Sequence, residues 1–497
     1  MAAELAFGDL RVPAAEIARR GAALAGGLRT LGLAENGAVA VLLRNGPVWA
    51  DVITACRIGG TYYVALNWHL TAAELAFILA DSGAKALVAE AALLEAVRTA
   101  IPAGMPVLAV GGSAPGAEDY ETWLARQAPY AGPPVSPRGH MGYTSGTTGK
   151  PKGVRRQPIP LAELPARQAR LRQVVEETLG VTEGSRVLVS APLYHAGPTV
   201  IAQNALQFAE RLVLAPRFDA EETLALIERH RITTVYLVPV MYVRLLRLPA
   251  ETRARHDLSS LRCVASTGAP CAPEVKRAMI EWLGPIITET YASTETGMLT
   301  ACRAEDSLRK PGTAGRPVAG ATVRILDEAG RDCAPGAVGR IYARNHAYPD
   351  FTYHNNPEAR AAIERDGLIT LGDMGYLDAE GFLFVCDRAS DMVISGGVNI
   401  YPAEIEAAIA SEPGVLDVAV FGIPDAEFGE RLHAVVQMAE GAGFDQAAME
   451  TALRARLAGF KVPRSWEAVA SLPRDPNGKL LKRRLREPFW AGAARRV

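Results

Sequence analysis

The chain has 497 residues, of which 49% are hydrophobic and 22% charged, and its formal net charge is −1 at pH 7. This length exceeds what one ordinary hydrophobic core holds, so we expect two or more domains of a soluble globular protein. The near-zero net charge argues against a general electrostatic attraction to nucleic acid or to anionic membranes.

The spacing of the cysteines indicates the redox compartment of the protein. They are scattered and form no C-x-x-C pair, which argues against a zinc site and a disulfide scaffold and favours a reducing cytoplasm. The N-terminus shows no basic segment followed by an apolar run, so no signal peptide is predicted. The six cysteines are Cys56, Cys263, Cys271, Cys302, Cys333 and Cys386.

One uncharged segment has the length of a membrane span. Residues 187–209 contain no Asp, Glu, Lys or Arg, but they include two prolines and the polar residues His195, Gln203 and Asn204. Such a composition favours a buried strand, a loop and a core helix over a spanning helix. We therefore expect no integral membrane segment and no nucleic-acid partner, and a homodimer is left open.

In chain order, the first half alternates strands with helices. Helices are predicted over residues 17–31, 49–58 and 72–82, the last capped by Thr71, and strands over residues 39–43, 62–66 and 86–89. The alternation resumes after residue 186, with strands at 187–190, 211–214, 233–238, 263–266 and 286–289 and helices at 197–206, 221–230 and 241–246. This pattern predicts two doubly wound parallel sheets.

The pattern of predicted elements changes after residue 310. Short strands at 322–326, 339–343 and 381–386, separated by Gly and Pro turns, predict a small β-rich subdomain over 311–389. A compact α+β tail follows, with strands at 415–421 and 434–438 and a helix at 446–457. The predicted fold class is therefore α/β: a large N-terminal domain, 1–389, and a small α+β domain, 390–497.

Residues 143–153, YTSGTTGKPKG, carry the strongest local signal. Glycines let backbone N–H groups approach an anion, hydroxyls donate hydrogen bonds and lysines supply charge, so the stretch predicts a polyphosphate-binding loop. It is not a Walker A loop, because Thr144 stands where that motif has Gly and Pro151 follows Lys150. We expect extended segments, and no helix, on either side.

The stretch resembles the signature loop of the adenylate-forming superfamily, which includes acyl-CoA synthetases, luciferases and peptide-synthetase adenylation domains. Further motifs follow in that family's order, at 191–198, 267–270, 289–295, 371–378, 387–406 and 473–480. The resemblance implies an acyl-CoA synthetase that uses ATP, Mg²⁺ and coenzyme A, and these ATP- and AMP-binding residues: Thr144, Ser145, Gly146, Thr147, Thr148, Lys152, Gly268, Ala269, Pro270, Glu289, Thr290, Tyr291, Asp373 and Arg388.

The resemblance also implies roles in catalysis. Thr294 would contact the α-phosphate, Glu295 would hold Mg²⁺, and Lys479 would enter the site and stabilise the α-phosphate and the carboxylate. Tyr291 would stack on adenine, and Asp373 would accept hydrogen bonds from the ribose. His195 alone reads as a structural histidine, but its match to the family's aromatic-rich motif makes it a catalytic and acyl-binding candidate.

Other residues would bind the acyl group and CoA or permit domain rotation. The expected acyl pocket is lined by His195, Ala196, Val200, Val240, Met241 and Met298, which are mostly apolar or small. CoA would contact Ser395, Gly396 and Gly397, and the small domain would be mobile about a hinge at Ser390. The cluster Lys482, Arg483 and Arg484 is interpreted as a solvated basic face or at most a CoA phosphate contact.

Three departures from the family pattern are evident. Ala292 replaces a usual Gly, Leu371 a usual Thr or Ser, and Ser390 a usual Asp or Lys at the hinge. Residues 192–207 contain no Asp to hold a substrate ammonium, so a fatty, aromatic or alicyclic acid is favoured over an amino acid.

Several functions stay open. The acceptor could be a separate carrier protein instead of CoA, and the chain could be a luciferase-type oxygenase. A non-catalytic nucleotide-binding sensor is the alternative from a different class. Whether Arg155 and Arg156 touch phosphate or substrate is also left open.

Overall fold

The computed structural model describes residues 3–144, 151–395, 398–425, 427–475 and 480–491. The first 125 residues contain β1 (Glu4–Phe7), β2 (Leu10–Val12), α1 (Ala14–Thr30), β3 (Ala38–Leu42), α2 (Val48–Gly59), β4 (Tyr62–Ala65), α3 (Ala72–Ser82), β5 (Leu87–Glu90), α4 (Ala91–Val97), β6 (Val107–Val110), β7 (Glu118–Asp119) and α5 (Tyr120–Ala125).

Most of these strands form one parallel sheet in the order β4-β3-β5-β6-β7. The predicted cap of α3 is confirmed, because the Thr71 side chain accepts from the Glu74 N–H while Glu74 accepts from the Thr71 N–H at 2.8 Å. This reciprocal arrangement satisfies two backbone donors at the helix start and fixes where the helix begins.

The middle of the chain contains β8 (Gly142–Thr144), β9 (Lys152–Arg156), α6 (Leu164–Leu179), β10 (Arg186–Val189), α7 (Ala196–Phe208), β11 (Arg211–Leu214), α8 (Ala220–His230), β12 (Thr234–Leu237), α9 (Pro239–Leu246), α10 (Ala250–Ala254), β13 (Cys263–Ser266), α11 (Pro273–Leu283), β14 (Ile287–Glu289), β15 (Ala292–Ser293), β16 (Gly297–Met298), β17 (Thr300–Arg303), α12 (Ala304–Arg309) and β18 (Arg316–Pro317).

The second large sheet has the order β18-β17-β14-β13-β12-β10-β11-β1-β2. Its β1 comes from the chain start and pairs in parallel with β11, with Glu4 opposite Arg211 and Phe7 opposite Leu214. The uncharged segment 187–209 lies mainly in the buried strand β10 and helix α7 of this part of the molecule. Within the described ranges, the helices are all too short or too polar to cross a membrane.

The rest of the chain is strand-rich and then mixed. The β-rich subdomain contains β19 (Ala321–Leu326), β20 (Gly339–Asn345), β21 (Phe351–Tyr353), α13 (Pro357–Ala361), β22 (Glu364–Arg365), β23 (Leu368–Ile369), β24 (Asp373–Leu377) and β25 (Leu383–Arg388). The C-terminal part contains β26 (Val393–Ser395), β27 (Val398–Ile400), α14 (Pro402–Ala410), β28 (Val415–Asp425), β29 (Gly429–Met438), α15 (Gln446–Arg454), β30 (Ser465–Val469) and α16 (Lys482–Arg486).

These later strands form their own sheets. In the subdomain the order is β22-β23-β20-β24-β25 with β19 beside β20, and in the C-terminal part it is β27-β26-β29-β28 with β30 beside β29. The predicted fold class, a large α/β N-terminal domain and a small α+β C-terminal domain, is confirmed. The proposed boundary at residue 390 stays a prediction.

The side chain of Asn45 ties the first sheet to the second. It follows β3 and is buried, and its amide donates to the carbonyls of Ala191 at 2.9 Å and Ala215 at 3.0 Å. Its carbonyl oxygen accepts from the Leu193 N–H at 2.9 Å. Asn45 therefore fixes the loop after β10, which leads directly to His195.

We expect Asn45→Leu to lower the free energy of unfolding by about 3 kcal/mol, because buried backbone groups at three positions lose their partners. Urea unfolding followed by tryptophan fluorescence would measure this change. The matched control is Asn67→Leu, since Asn67 is a partly exposed asparagine whose side chain accepts, among the described residues, one bond, from the His69 N–H at 3.0 Å. A loss below about 1 kcal/mol at Asn45 would contradict the expected role.

Candidate active site

The predicted phosphate-binding loop lies between two antiparallel strands. β8 pairs with β9, with Thr144 opposite Lys152, and β9 pairs in turn with β21. The expectation of extended segments on either side is confirmed. Residues 145–150 lie outside the described residues, and with them the predicted contacts Ser145, Gly146, Thr147 and Thr148.

The Glu295 carboxylate lies beside this hairpin. It accepts hydrogen bonds from the Thr144 hydroxyl at 3.3 Å and from the Tyr353 hydroxyl at 3.1 Å, and Glu295 is only 6% exposed. Both hydrogen bonds fall on the same carboxylate oxygen, Oε1, and both partners are uncharged hydroxyl groups. A hard oxygen donor of this kind is what Mg²⁺ prefers, so the residues present fit the magnesium ion that the sequence predicts.

Arg156 holds the loop that carries Thr294 and Glu295. Its guanidinium donates to the backbone carbonyls of Thr294 at 2.8 Å, Glu295 at 3.2 Å and Pro349 at 2.9 Å. Burial lowers its pKa, although arginine remains charged. The hydrogen bonds that this guanidinium donates thus go to backbone, and it also lies 4.9 Å from the centre of the Tyr348 ring, which points to a positioning role.

Arg155 has different contacts. Its guanidinium lies over the Tyr62 ring at 5.1 Å and donates to the Asn36 carbonyl at 3.3 Å. The neighbouring Lys152 ammonium lies 5.2 Å from the centre of the Tyr353 ring. Lys152 thus stands next to the same tyrosine whose hydroxyl binds Glu295.

The predicted nucleotide residues Tyr291, Asp373 and Arg388 lie together. The Tyr291 hydroxyl donates a short hydrogen bond to the Asp373 carboxylate, and the Arg388 Nε lies 3.3 Å from the other carboxylate oxygen. Asp373 and Arg388 face each other across β24 and β25. Burial, and then the charge of Asp373, raise the pKa of the Tyr291 phenol, so it stays a hydrogen-bond donor at neutral pH.

The turn at Gly268, Ala269 and Pro270 follows the carboxyl end of β13. Gly268 has a φ of +96°, a conformation that favours glycine. The Thr267 hydroxyl donates to the Thr290 carbonyl at 2.8 Å, which joins this turn to the motif after β14. Both motifs thus lie at the carboxyl ends of neighbouring parallel strands, where α/β sheets bind ligands.

Glu289 is engaged in a buried ion pair. Its carboxylate lies 2.5 Å from the Lys276 ammonium on α11, with the two side chains 13% and 4% exposed. Burial raises the pKa of Glu289, and Lys276 opposes that rise. A nucleotide contact by Glu289 stays a prediction, and the ion pair favours the backbone rather than the side chain for it.

His195 stands at the start of α7. Its ring centre lies 4.4 Å from that of Tyr194, which in turn makes an edge contact with Trp68 at 6.3 Å. Ala196 and Val200 follow on one face of α7, and Val240 and Met241 open α9. Met241 and Met298 belong to the same buried hydrophobic cluster, against which Val200 and Val240 pack.

The C-terminal part comes close to this aromatic group. Burial, and then the charge of Asp475, raise the pKa of the Tyr194 phenol. Asp475 is thus near the site, while residues 476–479, including Lys479, lie outside the described residues. The same holds for Gly396 and Gly397, whereas Ser395 ends β26.

The interpretation of Lys482 as a solvated lysine is wrong. Its ammonium lies 2.8 Å from the Glu406 carboxylate, with both side chains less than one fifth exposed. Burial raises the pKa of Glu406, and Lys482 opposes that rise. Arg483, by contrast, is exposed and pairs with Glu487 one helical turn away at 2.5 Å.

The proposed hinge residue also has a partner on α16. The Arg486 guanidinium donates to the Ser390 carbonyl at 3.0 Å and to the Asp391 carboxylate at 3.2 Å. The hinge itself stays a prediction.

Sequence reasoning missed three residues of this region. Tyr353 binds Glu295 but lies on a short strand that carries no motif, so no local signal points to it. The positioning role of Arg156 depends on backbone 138 residues further along the chain. His140 precedes the phosphate-loop hairpin and carries no motif of its own.

Comparison with known proteins identifies the family. Residues 5–348 match the family model described as AMP-binding enzyme, and residues 404–479 match that of the AMP-binding enzyme C-terminal domain. Feruloyl-CoA synthase from an Amycolatopsis species is 36% identical over 485 residues, which cover 96% of this chain and 93% of that protein.

Two further similar proteins are a ligase named for a carrier-protein acceptor and a protein with a crystal structure that contains ATP. The fatty acid–[acyl-carrier-protein] ligase ScoC from Streptomyces coeruleorubidus is 32% identical, with 95% of this chain and 91% of ScoC covered. The crystal structure of ATP-bound MatB from Rhodopseudomonas palustris superposes with a TM-score of 0.85 at 30% identity and covers 98% of this chain and 96% of MatB. The chain therefore belongs to the AMP-binding enzyme family of ATP-dependent, acyl-adenylate-forming ligases.

Proposed function

We propose that the chain is an AMP-forming acyl-CoA ligase that activates a hydrophobic carboxylic acid. The observation that carries this proposal is the buried Glu295 carboxylate, bound by Thr144 of the phosphate-loop hairpin and by Tyr353. The Tyr291, Asp373 and Arg388 group supplies a second anchor, for the ribose of ATP. Together they support a site that binds both the phosphates and the ribose of a nucleoside triphosphate.

The reaction needs activation because a carboxylate has oxide as its leaving group. An oxygen of the acid attacks the α-phosphorus of ATP, the new P–O bond forms, and the bond to pyrophosphate breaks. Such transfers depend mainly on positioning and on neutralising charge. Here Asp373 would fix the ribose, Lys152 and Thr294 would bind phosphate oxygens, and Lys479 would oppose the charge on the α-phosphate.

Magnesium and CoA complete the set of reactants. When bound, Mg²⁺ supplies positive charge beside the phosphate oxygens, and Glu295 is the residue that would hold it, with Thr144 beside it. In the second step the CoA thiol attacks the acyl carbonyl and AMP leaves. Ser395, with Gly396 and Gly397, would contact CoA, and rotation about Ser390 would bring these residues to the site.

The acyl pocket favours an uncharged group. Val200, Val240, Met241 and Met298 lie in or against one hydrophobic cluster, and residues 192–207 contain no acid for an ammonium. An aromatic acid such as ferulate, or a fatty acid, is the substrate class that this lining supports.

The alternative acceptor is a separate acyl carrier protein. The similarity to ScoC, a ligase named for a carrier-protein acceptor, supports this alternative. Both acceptors present a thiol, so the first step is the same for both. We also propose a cytoplasmic location, which the six unpaired cysteines support.

A panel of aromatic, alicyclic and fatty acids tests the proposal. Purified protein with ATP and Mg²⁺ should release pyrophosphate with at least one acid, and mass spectrometry should then find the thioester when CoA is added. A thioester only on carrier protein would select the alternative acceptor. Tight ATP binding without pyrophosphate release from any acid would overturn the proposal and support a nucleotide sensor.

A further inference from the structure

A cluster of three polar side chains lies where the hairpin of β8 and β9 meets α7. The Gln203 amide donates to the Tyr63 hydroxyl, and the ring centres of Tyr63 and His140 are 5.6 Å apart. Tyr63 is fully buried. A hydrophobic acid pocket does not need such a group, so these side chains call for a separate explanation.

The alternation of side chains along the strand directs His140 towards the predicted α-phosphate contact. Met141 and Tyr143 pack into or against the core of the first sheet, so His140, Gly142 and Thr144 face the opposite way. A Cβ atom at Gly142 would lie 2.6 Å from the His140 Cε1 and 3.1 Å from the Thr294 methyl. The His140 ring therefore lies next to Thr294, the predicted α-phosphate contact.

The helix places Gln203 in the predicted acyl pocket. Ala196, Val200 and Gln203 are spaced by four and three residues on α7, so they share one face, and all three are partly exposed. A Cβ atom at Gly139 would lie 2.8 Å from the Gln203 amide nitrogen. Backbone on the His140 side thus reaches the Gln203 side chain directly.

One atom of this group lacks a hydrogen-bond partner within the part of the chain that the structure describes. The His140 Nε2 is buried and makes no hydrogen bond to any described residue. Leaving such a group unpaired is unfavourable, and a ligand with a complementary polar atom would recover that free energy. Burial lowers the pKa of His140 to about 4, so the ring is neutral at physiological pH and complements a neutral ligand group better than a second carboxylate.

We propose that His140, Gln203 and Tyr63 form a hydrogen-bonding wall of the acyl pocket that binds an uncharged polar substituent, such as a hydroxyl group, on the acid. Tyr63 acts through Gln203 as a positioning residue. This inference rests on the proposed acyl-ligase function and narrows its substrate class to hydroxylated aromatic or fatty acids.

Paired acids of equal size test this inference. The panel compares meta- and para-hydroxycinnamate with the matching methylcinnamates, and decanoate bearing a terminal hydroxyl with undecanoate. We expect kcat/KM for pyrophosphate release to favour at least one hydroxylated acid by about tenfold to a hundredfold, since a site built to bind a hydroxyl leaves polar groups unpaired without it.

Two variants test whether His140 and Gln203 cause the preference for hydroxylated acids. His140→Phe keeps an aromatic ring without its nitrogens, and Gln203→Leu keeps the shape without the amide; each should bring the ratio within a pair to about one. The matched control is His230→Phe, because His230 is also buried and its pKa is also lowered by burial to about 4, but it ends α8 away from the pocket. This control should keep the preference.

The outcomes separate this inference from the function on which it rests. Pyrophosphate release without any hydroxyl preference, or a preference retained in both wall variants, would overturn the inference alone. Absence of pyrophosphate release with every acid would overturn both. Thermal unfolding and ATP binding of each variant show whether a lost preference reflects a misfolded protein, and Tyr63→Phe, which removes a single oxygen, then gives the decisive ratio.

Discussion

Replacing Lys479 with alanine is expected to lower acyl-AMP formation from ATP and acid by about a hundredfold to a thousandfold, the usual cost of removing one donor that stabilises developing charge. Thioester formation from supplied acyl-AMP should fall far less, because that step transfers no phosphoryl group. The charge of Asp475 acts on the Tyr194 phenol, so the C-terminal part lies near the site, which supports this assignment.

The two half-reactions are measured separately. Pyrophosphate release reports the first, and mass spectrometry of the thioester formed from synthetic acyl-AMP and CoA reports the second. Lys461→Ala is the matched control, since Lys461 lies in the same C-terminal part and pairs with Glu404 at 2.6 Å. Equal losses in both half-reactions of Lys479→Ala would refute the role given to Lys479.

Glu295→Gln is expected to reduce acyl-AMP formation by a similar factor, about a hundredfold or more. The amide can still accept from Thr144 and Tyr353, so the local structure should hold, but the negative charge that would hold Mg²⁺ is lost. We therefore expect the Mg²⁺ concentration for half-maximal pyrophosphate release to rise as well. A titration with MgCl₂ at fixed ATP and acid measures both effects.

Tyr353→Phe is the companion variant. It keeps the Glu295 charge and removes one hydrogen bond, for which a loss of about fivefold is expected. If the two variants lost activity equally, or if Glu295→Gln left the Mg²⁺ dependence unchanged, the carboxylate would not be the metal ligand.

Much of the fold follows from short-range sequence patterns. The strand over Cys263–Ser266 and the helix over Ala72–Ser82 match their predicted bounds, because an apolar run and a capping residue define them locally. The place of β1 in the second sheet could not be predicted, since its partner β11 lies about 200 residues away. Nothing near the chain start specifies that pairing.

The residues of the candidate site also fall into those that the sequence could identify and those that it could not. Asp373 and Tyr291 could be named because their motifs resemble those of the adenylate-forming superfamily. Tyr353 and His140 could not, because their contacts with Glu295 and Tyr63 come from strand pairing between distant segments. Lys482 was misread for a related reason, since its buried partner Glu406 lies on another helix.

If the small domain rotates about Ser390 as proposed, the hydrogen bond from Arg486 to the Ser390 carbonyl would affect the populations of its orientations. A carbonyl turns when the backbone angles of its residue change, so rotation about Ser390 would break this bond. One such bond to a charged donor contributes about 1.5–3 kcal/mol, which shifts a two-state equilibrium by roughly tenfold to a hundredfold. Under that proposal, the short helix α16 would bias the equilibrium towards the domain orientation of this structure, and removing the Arg486 guanidinium would weaken that bias.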